Sequence, residues 1–287
     1  MLKSKGIVYM LTGAKHGPML AVGLHALRLR YEGPVCLIAG NAPAIEICDL
    51  IAADPRSGDT IVVPWEAPVG GGKGLQHCNK TRVTELMPFD EAIFLDCDTL
   101  VVGDFSALWP RTGTEEVVLT QFANWWSNDR KIKGRTEGWR EILPAQVARS
   151  QGNRYPAINT GTFGITKASK PYVKRWREAS LARPSFMCDE LVAQVIFPDF
   201  PHRILDERWN CSPIFSNDRY GPPKDADVRI WHGHGWKFIS RTHGNKIWMP
   251  YYRAAFRADF GKLSDWALEA DKKLRKVIEN GGPQRRA

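Results

Sequence analysis

The run from Glu91 to Val102, Glu-Ala-Ile-Phe-Leu-Asp-Cys-Asp-Thr-Leu-Val-Val, constrains this chain more than any other segment. It has the apolar density of a buried strand, yet Asp96 and Asp98 interrupt it. Side chains two apart on an extended backbone point to the same side, which predicts neighbouring carboxylates. Two like charges in a partly desolvated cleft resist joint ionisation, so the pattern requires a compensating cation. Hard oxygen ligands suit Mg²⁺ or Mn²⁺, ions that commonly grip a diphosphate.

From residue 7 up to this run the chain alternates strand and helix. Strands are predicted over 7–12, 34–39 and 60–64, with helices over 16–31, 44–53 and 80–87, the last leading into the acidic run. Such alternation builds an α/β nucleotide-binding layer. Ligands of these sheets lie beyond the carboxyl ends of the strands, where Asp96 and Asp98 fall. Beyond Leu108 the pattern loosens. Strands are predicted over 117–120 and 162–165, around a long segment, 123–156, rich in Trp, Arg and Lys. Segments of that length tend to be functional, and Trp125, Trp126 and Trp139 are candidates either to stack on sugar faces or to cap the core.

With 287 residues and 43% hydrophobic content, the chain buries a large core as one sizeable domain or two intimate halves. No stretch approaches the roughly 18 apolar residues of a membrane span, and residues 7–12 read as a first strand rather than a signal peptide. The six cysteines, Cys36, Cys48, Cys78, Cys97, Cys188 and Cys211, are scattered without paired metal-ligand spacing. That fits a reducing cytoplasm better than a disulfide framework. The net charge of +9 concentrates near the end, at Lys272, Lys273, Arg275, Lys276, Arg285 and Arg286. There Leu263, Trp266, Ala267, Ala270, Leu274, Val277 and Ile278 recur at helical spacing, predicting a basic amphipathic tail over 251–287. Such a helix docks on its own domain or touches an anionic membrane face from the cytoplasmic side.

The glycine cluster Gly70-Gly71-Gly72-Lys73-Gly74 invites comparison with a phosphate-cradling loop. It lacks the upstream glycine and carries Gly74 where Ser or Thr follows the lysine, so it reads as a flexible turn. A stronger third element is Val228-Arg229-Ile230-Trp231-His232-Gly233-His234-Gly235-Trp236-Lys237. A neutral imidazole completes a metal shell begun by two carboxylates, glycine permits close approach to a ligand, and an ammonium complements phosphate oxygens. His232 is the expected ligand, with His234 the alternative.

Taken in order, these landmarks resemble a GT-A-fold glycosyltransferase, nearest to glycosyltransferase family 8, over most of residues 6–238. The first strand ends in Thr12-Gly13, where the family meets the nucleotide base. Lys80 opens the helix before the acidic strand, and Phe94-Leu95-Asp96-Cys97-Asp98-Thr99-Leu100 matches the metal motif. Asn159-Thr160-Gly161 resembles the segment beside the donor sugar, Asp189-Glu190 stands where the family has Asp-Gln, and Trp209-Asn210 matches a recurrent pair. His232, Gly235 and Lys237 resemble the terminal pattern, with Lys237 one position closer to the histidine. Singly, Asn159-Thr160-Gly161 reads as a turn, Asp189 as a cap for a helix over 190–196, and Lys80 as a solvated helix-end charge.

The resemblance implies a Rossmann-like single domain with a mixed central sheet over residues 1–250, its nucleotide-binding half at 1–108 and its acceptor half at 109–250. It implies a retaining hexosyl transfer from a UDP-sugar to a saccharide or glycolipid. Asp96, Asp98 and His232 would hold Mn²⁺ or Mg²⁺; Thr12, Gly13, Lys80, Gly235 and Lys237 would bind the nucleotide diphosphate. Asp189, Glu190 and Asn159 would serve the donor sugar, Glu190 as a carboxylate nucleophile or as an acceptor for a hydroxyl. Two other classes compete. A sugar nucleotidyltransferase shares such layers, and Thr12-Gly13-Ala14-Lys15 faintly suggests its glycine-rich signature. A basic nucleic-acid-binding protein would use the Arg/Lys excess, though no nucleic-acid module is recognisable and nucleic acid is not the expected partner.

Overall fold

The computed structural model describes residues 5–66, 77–126, 134–152, 155–212, 227–233, 247–248 and 250–251, with the backbone alone over 122–126. The predicted basic tail beyond Tyr251, the glycine cluster, His234, Gly235 and Lys237 lie outside the described residues.

The strands are β1 (Lys5–Leu11), β2 (Val35–Ala39), β3 (Thr60–Pro64), β4 (Glu91–Leu95), β5 (Thr99–Val101), β6 (Val117–Trp126), β7 (Pro156–Thr166), β8 (His202–Leu205) and β9 (Ile230–His232). The helices are α1 (Gly17–Arg28), α2 (Ala42–Ala52), α3 (Val83–Leu86), α4 (Pro144–Ser150), α5 (Lys170–Ala182) and α6 (Cys188–Ile196). Seven strands form one sheet in the order β3-β2-β1-β4-β7-β6-β8, and β5 and β9 pair in a small second sheet. The block β3-β2-β1-β4 is parallel, whereas β7 runs antiparallel to both β4 and β6. The sheet is therefore mixed, as expected.

Every residue of β2 and β4 is buried, because helices cover both faces of the sheet. Alternation divides the core cleanly. Ile7, Tyr9, Leu37, Ile93 and Leu95 pack with α1 and α2 on one face, while Val8, Cys36, Ile38 and Phe94 meet α5 and α6 on the other. Arg28 closes α1 by donating to the carbonyls of Tyr31, Gly33, Ser57 and Asp59, a cation satisfying carbonyls around a helix C-terminus. After β3 the chain returns to the opposite side of β1 to lay down β4. The carboxyl ends of β1 and β4 thus flank the point where strand order reverses, the usual ligand crevice of such sheets.

Several expectations need correction. The acidic run is not one strand: β4 stops at Leu95, Asp96 to Asp98 form a turn, and β5 begins at Thr99. The amide and hydroxyl of Thr99 both bond the Asp96 carbonyl, at 3.1 and 2.7 Å, so a turn brings the carboxylates together rather than strand alternation. Lys80 lies in a 3-10 turn, Asn79–Arg82, ahead of the short α3, instead of opening a long helix. Asn159-Thr160-Gly161 is no turn; it lies within β7, at a register shift between Val118 and Thr120 of β6. Met187, with φ 62°, precedes α6, so Asp189 belongs to the first helical turn and is not its cap. Trp139 is buried and donates from its indole to the Ala179 carbonyl, which makes it core rather than a sugar platform. Among the described residues no helix is long and apolar enough to cross a membrane.

Candidate active site

The β5–β9 ribbon decides where the histidine goes. Its antiparallel register pairs Thr99 with His232, and the Gly233 amide donates to the Asp98 carbonyl at 2.7 Å. His232 is thereby set against the residue that precedes β5. Its Nε2 lies 3.3 Å from Asp98 Oδ1 and 3.8 Å from Asp96 Oδ2, and one ligand atom from each of the three falls within 4.8 Å of the others. Burial opposes a charge on His232, but the Asp98 and Asp96 carboxylates outweigh it and leave its pKa raised. A proton on Nε2 and a cation among these atoms answer the same electrostatic need, so they compete.

A directed hydrogen-bond chain holds the imidazole. The Thr120 hydroxyl donates to the Thr162 carbonyl at 2.9 Å, so it accepts from Asn210 Nδ2 at 2.8 Å. Asn159 Oδ1 accepts from the Gly161 amide and from Asn210 Nδ2, both at 2.8 Å. These partners fix the Asn210 amide, leaving its Oδ1 to accept from His232 Nδ1 at 2.8 Å. The imidazole's Nε2 lone pair is then the one aimed at the carboxylates. Asn159 Nδ2 continues the chain to Glu190 Oε2 at 2.6 Å. Glycine is needed at 161, because a Cβ there would run into Nδ1 and Cε1 of His232.

Lys80 forms the other side of the site. Its ammonium contacts both Asp96 oxygens, at 2.9 and 3.0 Å, the Thr160 carbonyl at 3.1 Å and Asp189 Oδ2 at 3.3 Å. Thr160 Oγ1 donates to Asp189 at 2.9 Å, and His77 Nδ1 lies 3.6 Å from its other oxygen. Burial alone would raise the Asp189 pKa, but Lys80, then His77 and Thr160, hold it well below the usual carboxylate range. Glu190 shows the reverse. Burial and the neighbouring Asp189 charge push its pKa up to about 8, so it keeps a proton at neutral pH.

The structure thus brings together Asp96, Asp98, His232, Lys80, Asp189, Glu190 and Asn159. Thr12 and Gly13 sit at the carboxyl end of β1, where Tyr9 pairs with Leu95 of β4, and the Thr12 carbonyl accepts from Asn41 at 2.8 Å. Sequence reasoning missed His77, Thr120 and the structural role of Asn210. A histidine three residues before Lys80 was a usable signal; a buried threonine on β6 gave none.

The mixed seven-stranded sheet is a Rossmann-like α/β arrangement of the GT-A fold class, as its likeness to solved structures shows. Solved structures sharing it include the galactosyltransferase LgtC in complex with donor and acceptor sugar analogs, at 14% identity over 92% of this chain and 95% of that chain, with a TM-score of 0.58. GlyE from Streptococcus pneumoniae TIGR4 matches at 12% identity, over 96% of this chain and 64% of its own, with a TM-score of 0.58. Mouse xyloside xylosyltransferase 1 matches at 14% identity, over 80% and 97%, with a TM-score of 0.51. No protein-family model matches the chain, and no curated protein matches it in sequence. At these identities the likeness establishes the fold.

Proposed function

We propose that the chain is a metal-dependent glycosyltransferase that moves a hexose from a UDP-sugar to a saccharide or glycolipid acceptor, with retention at the anomeric carbon. The observation that carries this reading is the convergence of Asp96, Asp98 and His232 within 4.8 Å at the crevice between β1 and β4. The donor set fits Mn²⁺ or Mg²⁺: carboxylate oxygens with one imidazole nitrogen. Cys97 does not join them, since burial first and the flanking aspartates next keep its thiol protonated, and it donates to the Met10 carbonyl.

When bound, the ion supplies a counter-charge to the diphosphate as the sugar–phosphate bond breaks. The chain's own groups do the rest. Lys80 holds Asp96 in place and adds positive charge on the same side. Thr12 and Gly13 receive the nucleotide base; Gly235 and Lys237 retain the diphosphate role assigned from sequence. Asp189, kept ionised, accepts hydroxyl hydrogens of the donor sugar. Glu190, protonated at neutral pH and anchored by Asn159, serves as a neutral hydrogen-bonding group, much as an amide would, rather than as a nucleophile. The reading includes a cytoplasmic location with the basic tail at an anionic membrane face.

The test is a panel of UDP- and GDP-sugars with Mn²⁺, scored by melting temperature and by released product. Ligand at a hundredfold excess over Kd stabilises by about 2.7 kcal/mol. UDP-sugars should raise Tm only with metal and release UDP. Asp98→Ala should keep the wild-type circular dichroism spectrum and lose transfer. Pyrophosphate as the product, or full Asp98→Ala activity in chelator, would sink the reading.

A further inference from the structure

Cys78 and Cys188 stand 110 residues apart in the chain, yet their sulfurs meet at 3.3 Å. Each anchors one wall of the active site. Cys78 enters the 3-10 turn that carries Lys80 and follows His77; Cys188 opens α6 and adjoins Asp189 and Glu190. Both are buried, at 5% and 0% exposure. We propose that Cys78 and Cys188 form an oxidisable pair that a hydroperoxide converts into a disulfide, linking the redox state of the chain to the placement of Lys80 and Asp189.

Geometry argues first. A disulfide bond is about 2.0 Å long, so closure moves the sulfurs together by roughly 1.3 Å, a shift shared between side-chain rotation and movement of the segments they anchor. A shift of that size matters to contacts such as the 3.3 Å Lys80–Asp189 pair and the 3.6 Å His77–Asp189 pair. The electrostatics agree. Either sulfur can donate in this contact; with Cys78 as the donor, the bond pulls Cys188 down to about 7 and pushes Cys78 up. Elsewhere burial pushes Cys36 and Cys48 up to about 12. The pair therefore holds a thiolate near neutral pH where those isolated thiols do not.

The Cys188 thiolate attacks one peroxide oxygen, an S–O bond forms, the O–O bond breaks and hydroxide leaves. That hydroxide takes the Cys78 proton as water. The Cys78 thiolate attacks the sulfenic sulfur, the S–S bond forms, the S–O bond breaks and a second hydroxide departs. Two thiol sulfurs are oxidised and one peroxide is reduced.

The experiment treats the full chain with hydrogen peroxide and maps non-reduced peptides by mass spectrometry. A Cys78–Cys188 cross-linked peptide, reversed by dithiothreitol, is expected; its absence while other sulfurs are oxidised would overturn the pair. The mass readout needs no sugar, so it stands whether or not the proposed transferase reading survives. The coupling rests on that reading and has its own arm. Peroxide should cause a dithiothreitol-reversible loss of the UDP-sugar and Mn²⁺ melting response in the wild type, and none in Cys78→Ser or Cys188→Ser. A cross-linked wild type that keeps the full response would refute the coupling. Should the serine variants fail to fold, the wild-type map and its reversal by reductant still decide.

Discussion

Asp96 belongs to two charge clusters that resolve the same electrostatic problem in opposite ways. On one side Lys80 bridges Asp96 and Asp189, with Thr160 adding a hydrogen bond to the buried carboxylate. On the other side Asp96 faces Asp98 and the Nε2 edge of His232, a group of acceptors directed at one another. The first cluster is neutralised by the protein itself. The second sets two carboxylates beside one imidazole, an arrangement that a proton or a cation stabilises. Opposite charges packed together hold their own geometry, and like charges packed together invite a cation.

The largest effect that sharpens this contrast is on stability. Asp189→Ala removes one partner of a buried ion pair, which costs about 3–5 kcal/mol, and Tm measured in chelator should fall by roughly 10 °C. Asp98→Ala removes one of two neighbouring carboxylates together with a partner of His232, two effects of opposite sign, so in the same buffer it should lower Tm by much less than Asp189→Ala does. The contrast fails if both variants melt equally early. The pH arm carries a sign. Because the Asp189 pKa is depressed in the folded chain, its contribution is complete above the ordinary carboxylate range and is lost as pH falls below that range towards the folded pKa. Wild-type and Asp189→Ala melting temperatures should therefore converge in acid.

Much of this was legible in the sequence because it depends on local pattern. The apolar runs at β1, β2 and β4 alternate toward two helical layers, and an Asp-x-Asp at the end of such a run has few inexpensive explanations. What stayed hidden depends on long-range register. The turn at Asp96 to Asp98 and the β5–β9 pairing give the right neighbours by a different route from strand alternation. Asn159-Thr160-Gly161 looks like a turn locally, but β7 is buried along nearly its whole length, and tertiary packing overrides the local preference. The Cys78–Cys188 contact joins segments whose separation in sequence concealed it. Trp139 was ambiguous because indoles serve cores and sugars alike.

The second prediction tests whether the acceptor cluster depends on its support. Asn210 is fully buried and its Oδ1 is the group that orients His232. Asn210→Ala should weaken Mn²⁺ binding by about 10–100-fold, read by electron paramagnetic resonance titration. In the wild type, metal affinity should climb as pH rises through the His232 pKa, which lies above the ordinary value of about 6.5, because the ion displaces a proton. An unchanged affinity in Asn210→Ala would show that Asp96 and Asp98 alone define the site, and would break the link between the two halves of the hydrogen-bond chain.

The last effect lies at the far end of that chain, where the Glu190 carboxyl is buried beside the Asp189 charge. Burial and the Asp189 charge raise its pKa from 4.5 to about 8. A carboxyl with a raised folded pKa binds more protons in the native state, so its share of stability is complete below pH 4.5 and is lost as pH rises through about 8. Glu190→Gln keeps an acceptor for Asn159 Nδ2 and removes the titration. The variant should match the wild type in mild acid and exceed it in Tm near pH 9, with a flatter dependence between. Parallel pH profiles for the two proteins would mean that Glu190 is already ionised at neutral pH, and its carboxylate would then return as a candidate nucleophile.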